Sequence, residues 1–543
     1  MKNKPASSTT LRRFLLSLAL AFACVAASRP VWAAVNVMSL FSDHMVVQRD
    51  MPVPIWGTGT PNEMVTVHLG LAQATAQAGA DGKWLARIPA QAAGGPFVMT
   101  VTGSSTVTIQ DVYVGEVWLA SGQSNMDYRV HCTFAGCALN NEATEIANSN
   151  YPLIRSCNVP YAPSLKPVDT VSTQWLVSSP ATVANFSAAA YFFARELHQN
   201  LPNVAIGVIH ASFGASTIQC WVPHDAIAAI PSVAAQLATF DTAPNVSTQH
   251  NPFICYNGQI HPLAPYAIRG VIWYQGESVT WGDNTYRDLQ IGQIQAWRKV
   301  WGQDFTFLVT QLANYAPGGT FPFIREAQLQ ATETVFNTGL AVTIDIGNPT
   351  YIHPGDKQDV GLRLGLAARA ITYGQAVPYS GPIYDHMTIE GSSIRLFFKH
   401  IETGLTFKGN VGTGFEIAGA NNVFSPATAV IDAATSTVVV SSPAVTAPKN
   451  VHYAWAGNPM ASLYNGGAPP LLPASPFRTD AVPLPPPIVG GVSDAGIVTA
   501  SDAGIVATSD AGIVATSDAG SAGGGSDAAT DATTGSGTAD AGT

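Results

Sequence analysis

The chain has 543 residues, a formal net charge of −10 and only 11% charged residues, with no basic run. That charge gives no field for a phosphate backbone, which excludes nucleic acid as an expected partner, and the length suits two or three domains rather than one. The cysteine spacings match no zinc pattern, so neither a metal nor a cofactor is expected, and an enzyme of small neutral or sugar-like substrates fits best.

Lys2, Lys4, Arg12 and Arg13 precede an apolar run over 14–27, and Val31-Trp-Ala33 supplies small residues at a cleavage position. Residues 1–33 therefore read as a signal peptide, placing the mature chain in a secreted, periplasmic or cell-surface location. The run is too short to span a bilayer comfortably and nothing later is long and apolar enough, so no membrane span is expected. With Cys24 removed, five cysteines remain: Cys132, Cys137, Cys157, Cys220 and Cys255. Cys132 and Cys137 lie close enough in one loop to close a disulfide in an oxidising compartment, and the pairing of the rest is open.

Residues 35–110 show short strand-like runs broken by turn residues, at 45–48, 53–57, 65–69, 84–88 and 97–101, which is the spacing of an N-terminal β domain of sandwich type. From 111 to 390 apolar strands (115–120, 205–211, 270–274, 305–310, 340–344) alternate with helical patterns (187–200, 285–300, 323–336, 356–373). This alternation predicts an α/β domain with a parallel sheet, whose ligands bind beyond the carboxyl ends of the strands. Residues 391–481 return to short strands and read as a C-terminal β domain. From 482 to 543 the chain has seven aspartates, no Lys, Arg or aromatic residue, and a Ser-Asp-Ala-Gly-Ile-Val repeat with Asp494, Asp502, Asp510 and Asp518 in register. Such a tail cannot bury enough apolar surface to offset ordering entropy and reads as a disordered acidic linker or stalk.

The polar motifs fall at the ends of the predicted parallel strands. The first strand runs into Gly122-Gln-Ser-Asn125, a sharp turn that leaves the Ser124 hydroxyl uncovered. The second is followed by Ser212-Phe-Gly-Ala-Ser216, the third by Gln275-Gly-Glu277, and the fifth by a loop carrying His353. Each alone is ordinary turn chemistry. Together they bring to one sheet edge a nucleophile, oxyanion donors, a carboxylate and a general base.

These blocks, Ser121-Gly-Gln-Ser-Asn-Met126, the turn around Gly214, Trp273-Tyr-Gln-Gly-Glu-Ser278 and Asp345-Ile-Gly-Asn348 through His353-Pro354, resemble those of the sialate O-acetylesterase group of SGNH hydrolases. The likeness extends to Phe41-Ser-Asp-His-Met-Val-Val-Gln48, Tyr256-Asn-Gly258, Arg325-Glu-Ala-Gln328 and Leu472-Pro-Ala-Ser-Pro-Phe-Arg-Thr-Asp480. The resemblance implies a flavodoxin-like SGNH hydrolase sheet flanked by β-sandwich-like segments, and a serine esterase that removes O-acetyl groups from sugars. It further implies Ser124 as nucleophile, His353 as base, and the N–H groups of Ser124 and Gly214 with the Gln275 side-chain amide as oxyanion donors. Asn125 and Tyr256 join the oxyanion and substrate-binding set.

One position departs from the pattern. Relatives commonly carry an aspartate two or three residues before the histidine, where this chain has Tyr351 and Thr350. A Ser124–His353 dyad with Glu277 as a supporting carboxylate is then expected, with Asp345 as the acid or a dyad held by a backbone carbonyl as alternatives, and an imidazole without an anionic partner is expected to keep a pKa near the ordinary value of about 6.5. The leaving sugar is not written in these motifs: an acetyl xylan or hemicellulose esterase, or a catalytically weak secreted carbohydrate-binding protein, are the alternative readings.

Overall fold

The structure, a computed structural model, describes residues 34–280 and 284–480; the expected signal peptide and acidic tail lie outside the described residues. Seven strands make the central sheet: β1 (Thr106–Gly122), β2 (Tyr151–Asn158), β3 (Trp175–Ser178), β4 (Ile206–Ser212), β5 (Gly270–Tyr274), β6 (Thr306–Thr310) and β7 (Thr338–Ala341). Their spatial order is β3-β2-β4-β1-β5-β6-β7. All neighbours are parallel except the β3/β2 edge pair. The five strands expected from the sequence thus lie in the order second, first, third, fourth, fifth, the flavodoxin-like arrangement, with its switch point beside β1. β4, β5 and β6 are buried at every residue, as a parallel sheet covered on both faces requires.

The helices that matter to the site are α1 (Ser124–Asp127), α2 (Ala188–Asn200), α3 (Thr285–Trp301), α4 (Phe321–Thr334) and α5 (Lys357–Ile371). α2 and α5 pack against each other at a very short separation. Gly361 permits it, because a Cβ at that position would collide with Phe192 and the Phe193 backbone. Ser187 caps α2 and Asp356 caps α5, each side chain accepting a hydrogen bond from a backbone N–H in the first turn.

β1 belongs to two layers. Its first half pairs antiparallel with Gly94–Thr102 and its middle pairs parallel with Val46–Gln48, so the N-terminal β segment continues into the central sheet through one 17-residue strand. At the start of the sheet's buried part, the fully buried Glu116 is bound by Arg49, Arg269 and Gln48. The C-terminal strands form three small sheets around their own apolar core, which includes Ile394, Leu396, Val438, Val440, Tyr453 and Phe477. Among the described residues no helix is long and apolar enough to cross a membrane. Cys132–Cys137 and Cys220–Cys255 form disulfides, and Cys157 is free and buried.

Candidate active site

At the carboxyl end of the sheet, Gly122 of β1 is level with Ser212 of β4 and Tyr274 of β5, so three loops leave the sheet at one height. Gly122 has φ +143, and a Cβ there would overlap the Tyr274 carbonyl. Only glycine allows β1 to turn so close to its neighbour, and the turn delivers Ser124 at the start of α1. Gly214, from the turn after β4, stands beside it: a Cβ on Gly214 would lie 3.8 Å from that of Ser124. The loop after β7 brings His353 over the same point, with Nε2 2.8 Å from Ser124 Oγ.

The side chains on either side of Ser124 fasten this turn to the neighbouring loops. Gln123 Oε1 accepts from Gln275 Nε2 at 3.0 Å and from the N–H groups of Gly276 and Ser278 at 3.2 and 3.4 Å. Asn125 Nδ2 donates to Glu277 Oε1 at 2.5 Å and to the Ile352 carbonyl at 3.0 Å, while its Oδ1 accepts from Lys357 Nζ at 2.7 Å. The serine is therefore framed by two amides anchored to the neighbouring loops, and its own hydroxyl is left for the histidine.

Around His353 the surroundings are aromatic. The rings of Phe134 and Tyr351 lie 5.2 and 5.4 Å from the imidazole, and Tyr351 Oη donates to the Ala135 carbonyl at 2.9 Å, tying the histidine loop to the loop closed by Cys132–Cys137. Nδ1 of His353 is buried and has no hydrogen-bond partner among the described residues. Burial, with the nearby Lys357 ammonium as the second cause, pushes the imidazole down to about 4. The expectation of an ordinary histidine pKa is corrected accordingly: lacking an anionic partner is not neutral when the site also removes water from the charged form.

Several other expected site residues are placed differently. Gln275 is wholly buried and donates both amide hydrogens, to Gln123 Oε1 and to the Ser216 carbonyl at 3.0 Å, so its side chain has none left for an oxyanion. Asn125 is likewise fully engaged within the scaffold. Glu277 binds Asn125 and makes no hydrogen bond to the imidazole, and burial raises its pKa. Asp345 is held by both terminal nitrogens of Arg363, at 2.6 and 2.9 Å, and by Tyr464 Oη at 3.0 Å, which leaves it as a structural carboxylate. Tyr256 is buried, with its ring against His261, and no hydrogen bond among the described residues joins it to Ser124 or His353.

Lys357 and Gln123 belong to the site and are not singled out by the sequence reading. Lys357 opens α5 and is wholly buried; burial pulls it down to about 7, opposed by Glu277 and Asp356. Its only sequence signal is the spacing His353-Pro-Gly-Asp-Lys357, which by itself reads as a solvated first turn.

Comparison with known proteins gives a consistent picture. Residues 114–371 match the family model for carbohydrate esterase, sialic acid-specific acetylesterase. The sialate O-acetylesterase of Homo sapiens is 29% identical over 402 residues, covering 66% of this chain and 75% of that protein. The Mus musculus sialate O-acetylesterase is 28% identical over 425 residues, covering 66% and 77%. A solved carbohydrate acetylesterase from Xanthomonas citri is 37% identical, superposes with a TM-score of 0.75, and is matched over 83% of this chain and 100% of its own.

Proposed function

The chain belongs to the sialic acid-specific acetylesterase family of carbohydrate esterases, and we propose that it removes O-acetyl groups from sialic acid by a Ser124–His353 dyad. The observation that carries the reading is the 2.8 Å contact between Ser124 Oγ and His353 Nε2 at the switch point of the sheet, with Gly214 alongside. In the first half-reaction Ser124 Oγ attacks the acetyl carbonyl carbon, His353 Nε2 takes the hydroxyl proton, and the backbone N–H groups of Ser124 and Gly214 receive the oxyanion. Collapse expels the sugar oxygen, which takes the proton back from His353 and leaves Ser124 acetylated. A water molecule, deprotonated by the same nitrogen, attacks the acetyl carbon; the bond to Ser124 Oγ breaks, acetate leaves and the proton passes from His353 back to Ser124.

Carbohydrate as substrate class is supported by the family and by both kinds of relative, and sialate by the family description and the human and mouse proteins. Export is supported by the basic and apolar N-terminal residues and by two disulfides, which persist in oxidising compartments. The domain limits at 110 and 390 stay a proposal, with β1 running through the first of them. The test is a side-by-side assay of wild type and Ser124→Ala on O-acetylated sialic acid and acetylated xylan. The expected result is acetate release from the sialic acid by wild type alone; release from xylan in preference would reassign the sugar, and activity surviving in Ser124→Ala would reject the nucleophile.

A further inference from the structure

His353 has no carboxylate behind it, yet it must keep one orientation for Nε2 to meet Ser124. What is fixed in the structure is not the ring nitrogen but the backbone on both sides of it. The carbonyl of Ile352, just before His353, accepts from Asn125 Nδ2 at 3.0 Å, and the carbonyl of Pro354, just after it, accepts from Lys357 Nζ at 2.8 Å. The two donors are themselves joined, Lys357 Nζ to Asn125 Oδ1 at 2.7 Å, and the second amide hydrogen of Asn125 goes to Glu277 at 2.5 Å. The network is rooted in the residue next to the nucleophile, so it sets the histidine loop relative to Ser124 directly.

We propose that Lys357, acting with Asn125 and Glu277, is a positioning residue that takes over the orienting part of the missing triad acid, by clamping the carbonyls that flank His353. The proposal deepens the functional reading above and rests on it. Burying an ammonium is costly unless its geometry is used, and an apolar residue of similar volume would fill the same space at less cost. Lys357 is nonetheless wholly enclosed, its ammonium over the rings of Tyr128 and Tyr274 at 4.7 and 5.5 Å. Glu277, across Asn125, supplies the opposite charge that makes the burial tolerable. The clamp replaces only orientation: it gives no negative charge to an imidazolium, and Lys357 opposes that charge.

The experiment uses the full chain with Lys357→Met, measuring kcat and KM on an acetylated chromogenic ester, thermal unfolding, and the His353 imidazole titration by NMR, assigned against His353→Asn. The groups facing His353 are Ser124, Tyr351 and Lys357, and those facing Lys357 are Glu277, Asp356, Tyr128 and Tyr274. Loosening the loop should cut kcat about 100-fold, the usual consequence of an ångström-scale misplacement, with KM little changed. Removing the neighbouring positive charge should raise the His353 titration whatever the role of the lysine; loss of the clamp should in addition average the NOE contacts of the His353 ring with Phe134 and Tyr351, which a lysine acting only through its charge would leave intact. A kcat within a few fold of wild type, or unchanged ring contacts of His353, overturns the proposal. If the single variant does not fold, Glu277→Gln combined with Lys357→Met removes both buried charges together; that variant folding with wild-type kcat also overturns it. Should wild type hydrolyse no ester, the functional reading fails, while the ring contacts of His353 still decide whether Lys357 positions it.

Discussion

At the scale of single residues, the site is a base made weak by its surroundings. A histidine in a triad draws stabilisation of its charged form from a carboxylate on the far nitrogen; His353 has Phe134 and Tyr351 beside its ring and an ammonium nearby instead. Its pKa lies below that of a free histidine, so the imidazole stays neutral, and able to accept the serine proton, to lower pH. The acid limb of the kcat/KM profile is expected near pH 4, and Tyr351→Asp, by placing an anion against the ring, should move it upward by one unit or more. The wild-type profile and that of the variant check both statements; a wild-type limb at the ordinary histidine value of about 6.5 contradicts the first. Protonation also favours the unfolded chain here, since the folded-state pKa is the lower one, so the contribution of His353 to stability falls as pH drops from about 6.5 toward 4.

Ser124, His353 and Gly214 were legible because each sits at the end of a predicted strand, and the topology of a parallel sheet gathers such ends. Gln275 and Glu277 lie at the expected edge too, but a motif shows which strand end carries a polar side chain, not which way it points. Gln275 turns inward to Gln123 and Ser216, and Glu277 turns to Asn125. Lys357 was hidden because a lysine in the first turn of a helix ordinarily faces water.

At the scale of elements, the five strands and four helices of the α/β part follow the apolar periodicity of the sequence closely. β2 and β3 escaped it. β2 carries Pro152, Arg155 and Ser156, and is stabilised in part by the buried Arg155 guanidinium, which donates to the carbonyls of Asp111 and His44, long-range partners that no local pattern announces. The junction between β1 and α1 is the most demanding local conformation in the site. Gly122→Ala should destabilise the fold by about 1–3 kcal/mol through its positive φ alone, with more from the overlap onto Tyr274. Because the same turn aims Ser124, kcat should fall with it. Denaturant unfolding together with kcat checks this, and a variant as stable and active as wild type would show that the turn has slack.

At the scale of the whole molecule, the N-terminal strands join the central sheet through β1, and the C-terminal strands, which keep sheets of their own, are tied to the α/β part by buried charged groups as well as by apolar contact. Arg325 of α4 is wholly buried and has no anionic partner among its hydrogen bonds. It donates to the carbonyls of Leu312 and Ala313 just after β6, and to those of Ala456 and Gly457 in the loop after the C-terminal strand Asn450–Tyr453, at 2.7 to 2.8 Å. Burial lowers its pKa to about 9. Arg325→Met leaves the buried carbonyls of Leu312 and Ala313 without their donor, while Gly457 keeps the Tyr315 N–H and Ala456 is exposed to water; at roughly 1–3 kcal/mol for each unsatisfied buried group it should cost at least about 2 kcal/mol, read as a lower denaturant midpoint. An unchanged midpoint would mean that the C-terminal strands are held by other contacts.

The measurement that bears most directly on the Ser124–His353 assignment is chemical trapping of the covalent intermediate. Wild-type enzyme turning over an acetyl ester, quenched in acid and digested, should carry acetyl on the peptide containing Ser124, and His353→Ala should abolish that label while the chain stays folded. Acetyl found on a different residue, or rapid turnover with no acetylated Ser124 peptide at any quench time, would contradict it.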